Sequence, residues 1–190
     1  MGHREDLLNG AVRCLYEKGY ARTTARDIVE ASGTNLSSIG YHYGGMTNLL
    51  SAALERAVEN WGRELAQALM SAQTDGLSGA ERFELYWARM IEAVERHRPV
   101  LMATFDAILQ MDHSPDVHHM LVSGMRDARH LWAEVFHGID PELEPVRANQ
   151  IGSLYTALVS GVLTQVLISP DDAPTPKDLT AAIRAVAAAI

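Results

Sequence analysis

Apolar residues recur along this chain at spacings of three and four, the period of a helix with one buried face. Over residues 4–18 the stripe is Leu7, Leu8, Ala11, Val12, Leu15 and Tyr16, and Gly19 stands where a helix stops. Thr24, followed by Asp27 three positions on, reads as a capping box with Asp in place of the usual Glu, and predicts a short helix from Ala25 to Ala31 that buries Ile28 and Val29. Ser32-Gly33-Thr34 makes a turn. Asn35 caps a third helix over Leu36–Tyr43, ended by Gly44-Gly45.

Thr47 is expected to cap a fourth helix of about twenty-five residues, some 35–40 Å at the α-helical rise. Its stripe runs from Leu50 through Ala53, Leu54, Ala57, Val58, Trp61 and Leu65 to Leu69. After the loop at residues 74–79, Phe83, Tyr86, Trp87, Met90, Ile91 and Val94 mark a helix that should stop before Pro99. A further helix should run from Pro99 to Met111, and another from Ser114-Pro115 to about His137. The segment 142–168 is the most apolar helix, interspersed with Gly152, Ala157, Ser160 and Gly161, and Pro176 opens the last one. The pattern predicts an all-α chain of about nine helices, three in an N-terminal head and six in a body.

Composition agrees with an ordinary helical core: 190 residues, 47% hydrophobic, seven prolines. No run of some 18 or more uncharged apolar residues suggests a membrane span, and the N-terminus has no apolar signal region. The lone Cys14 excludes an internal disulfide framework. A soluble, cytoplasmic protein is expected. The net charge of −8 weighs against nucleic acid until it is located. Residues 1–50 hold five cations and five anions, so the body carries all of the excess acidity.

Two short helices joined by a Gly turn have the make-up of a helix-turn-helix, which places its second helix in the DNA major groove. Ser37, Ser38, Tyr41 and His42 would face outward as hydrogen-bonding groups, with Ile39 a better inward anchor than Leu36. Thr24, Asn35 and Thr47, with the helix N-termini, could donate to phosphates without net positive charge. Arg26, Leu36 and Gly40 complete the candidate DNA-binding set. Spacing alone fits a plain surface helical hairpin equally well.

The residues say more than the spacing. TTARDIVEASGTNLSSIGYHYGGMTNLL resembles the DNA-binding segment of TetR-family transcriptional regulators. Thr23, Thr24, Asp27, Ile28, Ala31, Gly33, Tyr41, His42, Tyr43, Gly44 and Leu50 fall in register with the family pattern, over about the first 55 residues. Two positions depart from it: Met46 stands where the family usually has Lys, and Gly40 where an aromatic is common. With a neutral head, these departures predict few phosphate contacts and a shallow salt dependence.

The resemblance implies a DNA-binding domain at 1–46, and an effector-binding and dimerisation domain at 47–190 whose first helix (47–72) is the connecting strut. It implies a homodimer packed through its last two long helices, and the breadth of the apolar face over 142–168 agrees. It also implies a pocket for a small effector, and the many Met and Trp residues suggest that this effector is apolar. Residues that could line it are Tyr86, Trp87, Met90, Phe105, Ile108, Met125, Trp132 and Tyr155, although each taken singly fits ordinary core packing. The expected partners are therefore a near-palindromic double-stranded operator, a small molecule and a second copy of the chain, with no membrane. No cofactor is expected. The stretch Asp112-His113-Ser114-Pro115-Asp116-Val117-His118-His119 matches no closed metal site, so none is assigned. Nothing has the spacing of a catalytic triad, phosphate loop or metal motif, so a regulator is read in preference to an enzyme. A head that binds protein instead of DNA is the remaining alternative.

Overall fold

The computed structural model describes residues 3–189, apart from the side chains of Gln110 and His113. The described residues form eight α-helices and no strand: α1 (His3–Lys18), α2 (Ala25–Ser32), α3 (Leu36–Tyr43), α4 (Met46–Met70), α5 (Gly79–Gln110), α6 (Pro115–His137), α7 (Pro145–Ile168) and α8 (Pro176–Ala187). One 3-10 turn, Met111–His113, lies between α5 and α6.

The all-helical reading holds, and the one merger comes at Pro99. That residue lies inside α5 instead of dividing it. Proline removes one i→i−4 hydrogen bond and costs about 3 kcal/mol in a helix interior. Here the positions that follow, Val100, Leu101, Ala103 and Ala107, are buried, and their packing keeps the helix going. Two smaller differences concern helix starts. α4 begins at Met46, because the Gly45 carbonyl accepts the Leu49 N–H, so Thr47 lies in the first turn and does not cap it. α7 begins at Pro145 because residues 140–144 close a turn, with the Glu144 N–H donating to the Asp140 carbonyl.

The chain divides into two compact units. Unit 1 comprises Met1–Gly62 and His97–Gly124, and unit 2 comprises Arg63–Arg96 and Met125–Ile190. The core of unit 1 gathers Leu7, Ala11 and Leu15 of α1, Ile28 of α2, Ile39 of α3, and Leu49, Ala53 and Leu54 of α4. Val100, Ala103 and Ala107 of α5 and Val117 of α6 join them. Helices α1 and α2 cross closely at Gly10, where a Cβ would lie 2.8 Å from that of Ser32. His97 is buried in this unit: the Tyr16 hydroxyl lies 3.3 Å from its Nδ1, and the Trp61 ring centroid is 5.9 Å away.

Unit 2 is built around α7, whose buried face runs from Ala148 and Gly152 through Tyr155, Val159 and Val162 to Leu167. At Gly152 the backbone of α6 comes so near that a Cβ would sit 2.0 Å from the Arg129 carbonyl oxygen. Only glycine fits there. Helix α7 is long and apolar enough to cross a membrane by length and composition. Polar residues such as Asn149, Gln150, Ser153, Thr156, Ser160, Thr164 and Gln165 interrupt its apolar run, and nine of its residues are buried in the unit. That is the arrangement of a core helix.

Candidate nucleic-acid interface

The head forms where local polar chemistry sets each helix end. Thr24 accepts the Asp27 N–H at 3.3 Å, and the Asp27 carboxylate accepts the Thr24 N–H at 2.8 Å and its hydroxyl at 2.6 Å, so the capping box is reciprocal. Lys18 reaches the same carboxylate at 2.5 Å. The Lys18 ammonium first, and then the hydroxyl and N–H of Thr24, hold the Asp27 carboxyl well below the usual carboxylate range. The Thr24 hydroxyl proton is therefore already used within the protein. α2 ends at Gly33, in the left-handed conformation with φ 66°.

Asn35 then starts α3. Its Oδ1 accepts the Ser38 N–H at 3.1 Å, the Ser37 hydroxyl at 2.5 Å and the Ser38 hydroxyl at 3.1 Å. Because the Ser38 N–H can only donate, the atom that receives it is the amide oxygen, and Nδ2 is left as a donor. Both serine hydroxyls direct their protons at the cap and turn lone pairs elsewhere. Ile39 is the inward anchor at 5% exposure, while Leu36 is 54% and Tyr41 85% exposed. Tyr41 stands edge-on to the half-buried His42 with ring centroids 4.8 Å apart, and Gly40 is exposed beside them. Arg26 on α2 and Thr47 on α4 are exposed as well. Nine of the ten candidates lie on α2, on α3 or at the caps that start them; Thr47 lies on α4.

Sequence reasoning missed the braces that hold α3. The Asn48 side-chain amide donates to the Tyr43 carbonyl at 2.9 Å, tying down the C-terminal end of α3. The Tyr43 hydroxyl donates to the Arg4 carbonyl at 2.8 Å, and the Arg4 guanidinium lies over the Tyr43 ring, 5.1 Å from its centroid. The first contact could have been suspected from an Asn three positions after the Gly-Gly stop. The second joins residues 39 positions apart and leaves no local signal.

Two family descriptions match the chain: bacterial regulatory proteins of the tetR family at residues 7–53, and the tetracyclin repressor-like C-terminal domain at residues 78–189. The chain belongs to the TetR family. TetR-family members are DNA-binding transcriptional regulators and not enzymes, and this chain is one of them. It is similar to the HTH-type transcriptional regulator BetI of Brucella canis, 23% identical over 168 residues that cover 88% of this chain and 81% of that one. Among solved structures, a transcriptional regulator from Streptomyces coelicolor has the same TetR fold, with a TM-score of 0.69 at 20% identity over 95% of both chains. The multidrug binding protein EbrR, solved with proflavin, shares it too, with a TM-score of 0.65 at 19% identity over 96% of this chain and 97% of that one.

In this TetR chain the residues read as effector candidates do not all come together. Tyr86, Trp87, Trp132 and Tyr155 each have their ring within 4.2–6.3 Å of the ring of Phe136, which stacks on Tyr155 at 4.2 Å and 11°. Met90, like these four, is buried in unit 2. Met125 is 50% exposed, and Phe105 and Ile108 are exposed residues of unit 1, outside the ring cluster. Phe136, its centre, carries no special signal in the sequence beyond its place in an amphipathic stripe. Among the described residues the buried Trp87 indole N–H has no hydrogen-bond partner, whereas the Tyr155 hydroxyl lies 3.0 Å from Nε2 of His137. Unit 1 contains a separate groove of about 390 Å³ between residues 16–22 and the face of α5 that carries Pro99, Met102 and Asp106. No effector candidate lines it. Among the described residues no three His, Cys, Asp or Glu side chains gather as a metal site; His118 and His119 are exposed, and the His113 side chain lies outside the description.

Proposed function

We propose that the chain is a homodimeric, ligand-responsive repressor that reads a near-palindromic operator and releases it when a small apolar molecule binds the C-terminal domain. Residues 1–46 are the reading domain, and residues 47–190 bind the effector and dimerise, with the helix at 47–72 as the strut. The observation that carries this reading is the face of α3: Ile39 anchored, Tyr41 almost fully exposed, and the Ser37, Ser38 and Asn35 polar atoms ordered around one cap. Outward-facing hydroxyl oxygens can accept from cytosine or adenine amino groups in the major groove, and the Asn35 Nδ2 can donate to a phosphate. Thr24, Arg26, Leu36, Gly40, His42 and Thr47 flank that surface.

The dimer reading is supported by α7 and α8. Gln150, Leu154, Ala157, Gly161, Gln165 and Ile168 form an exposed stripe without charge along α7, and Val186 with several alanines is exposed on α8. Faces of this kind suit helix-on-helix packing against a twofold copy. The effector reading is supported by the ring cluster around Phe136 and the unpartnered Trp87 N–H, which would welcome a flat molecule with one acceptor atom. Proflavin, bound by the structurally similar EbrR, is flat in this sense. Action in the cytoplasm, on the cell's own promoters, follows from the regulatory role.

A gel shift of folded dimer on DNA upstream of its own gene, at low salt, tests the reading. No shift on any promoter-proximal duplex would sink it. Small molecules that co-purify with the dimer, identified by mass spectrometry, should release that DNA and quench tryptophan fluorescence in the wild type.

A further inference from the structure

In a head without net charge, the salt-dependent part of binding a polyanion comes from those of its cations that the fold leaves available. Residues 3–56 contain six: Arg4, Arg13, Lys18, Arg22, Arg26 and Arg56. Lys18 is paired with Asp27 at 2.5 Å, and Arg56 with Glu5 at 2.9 Å. Arg13 donates to the Ala31 carbonyl, and Arg22 Nε to the Lys18 carbonyl at 2.8 Å. Those two carbonyls belong to the C-terminal ends of α2 and α1, whose dipoles offset part of each guanidinium's charge. Arg4 and Arg26 remain. Both are exposed, and neither guanidinium has a hydrogen bond or ion pair among the described residues.

Arg4 is also positioned. Tyr43, the last residue of α3, holds the Arg4 backbone through its hydroxyl and the Arg4 guanidinium over its ring. The ring contact uses none of the five N–H donors of arginine, and it fixes a planar group suited to a phosphate. We propose that Arg4, seated on Tyr43 at the C-terminal end of the recognition helix, is a backbone-phosphate clamp. With Arg26 it supplies the positive charge that Met46, at the start of α4, does not. This rests on the DNA-binding dimer reading above.

Salt dependence is the measurement that isolates it, with a duplex selected from random sequence by the full-length wild-type protein. Two clamps per head make four per dimer, so these cations should contribute about −3.6 to the slope of log affinity against log salt. Arg4→Gln removes two of the four and should flatten the slope by about 1.8. Over a fourfold rise in salt these cations then cost the variant about 12-fold in affinity, against about 150-fold in the wild type. Arg4→Lys keeps the charge and should keep the slope, and Arg13→Gln should leave it unchanged. The preference for the selected over a scrambled duplex should stay at its wild-type ratio in Arg4→Gln, because a phosphate contact carries no sequence.

An unchanged slope in Arg4→Gln, or an equal loss in Arg13→Gln, overturns the clamp. Should Arg4→Gln fail to give folded dimer, methylphosphonate duplexes give the answer with wild type and Arg4→Lys alone. One neutralised phosphate per half-site should cost wild type the same slope, and no such position overturns the clamp. If wild type enriches no duplex, it is the DNA-binding reading that fails.

Discussion

The head and unit 2 are held together in different ways. In the head, α2 and α3 are eight residues each, too short to be stable alone, and each is fixed by side chains adjacent in sequence: Thr24 with Asp27, and Asn35 with Ser37 and Ser38. In unit 2, α7 is 24 residues long and has no side-chain cap, and the fit depends on a glycine crossing and on rings far apart in sequence, as Phe136 and Tyr155 are. Short helices with strong caps can present a fixed set of polar atoms on their outer face. Long helices packed through rings and a small residue make an apolar interior, the part proposed above to take the effector. The first is suited to reading and the second to sensing.

The largest expected effect tests the glycine crossing. Gly152→Leu must push α7 away from the Arg129 backbone, and overpacking of this kind costs about 1–3 kcal/mol or more. Thermal melting of the full chain should fall by many degrees. Gly124→Ala, where an added Cβ meets nothing within 4 Å, should instead be neutral or raise stability by up to about 1 kcal/mol. Equal behaviour of the two variants would mean that the crossing is not the tight point of unit 2.

Next comes the cap of α3. Asn35→Ala should cost about 1 kcal/mol of stability. Operator affinity should fall more than melting does, since the variant also frees the Ser37 and Ser38 hydroxyls from their fixed orientation. Asn35→Asp keeps an acceptor and should restore the melt without restoring affinity, because a carboxylate repels phosphate.

A smaller effect separates the two regions by pH. The Asp27 carboxyl titrates below its ordinary value of 3.8, so its contribution to the head is complete above that value and is lost as pH falls towards the lowered one. Asp27→Asn should remove that acid-limb loss at the expense of lower stability at pH 7, read by hydrogen exchange at α2 amides. His137 is shifted the other way in its effect on charge: burial first, then Arg147 and Arg82, lower its pKa below 6.5. Its neutral ring therefore stabilises unit 2 above that pH, and the contribution disappears as pH drops below it. Tyr155→Phe, which deletes the hydroxyl beside Nε2 of His137, should be the mildest change, a few tenths to about 1 kcal/mol, confined to amides of α6 and α7. A uniform acid response across both regions would contradict the contrast drawn between them.

The sequence by itself determined the all-helical class, the ends of α2 and α3, and the anchoring of α3 by Ile39, because caps and stripes act over three or four residues and can be read off a single strand of text. It also carried the resemblance to the TetR family, since that pattern lies in one contiguous stretch. Only the tertiary structure decided that α5 passes through Pro99, that Arg4 rests on Tyr43, that Gly152 lies against the Arg129 backbone, and that Phe136 gathers Tyr86, Trp87, Trp132 and Tyr155 while Phe105 and Ile108 lie apart. These features come from contacts between distant parts of the chain, where burial outweighs a lost helical hydrogen bond and where the partner of a side chain is chosen by packing and not by its neighbours in sequence.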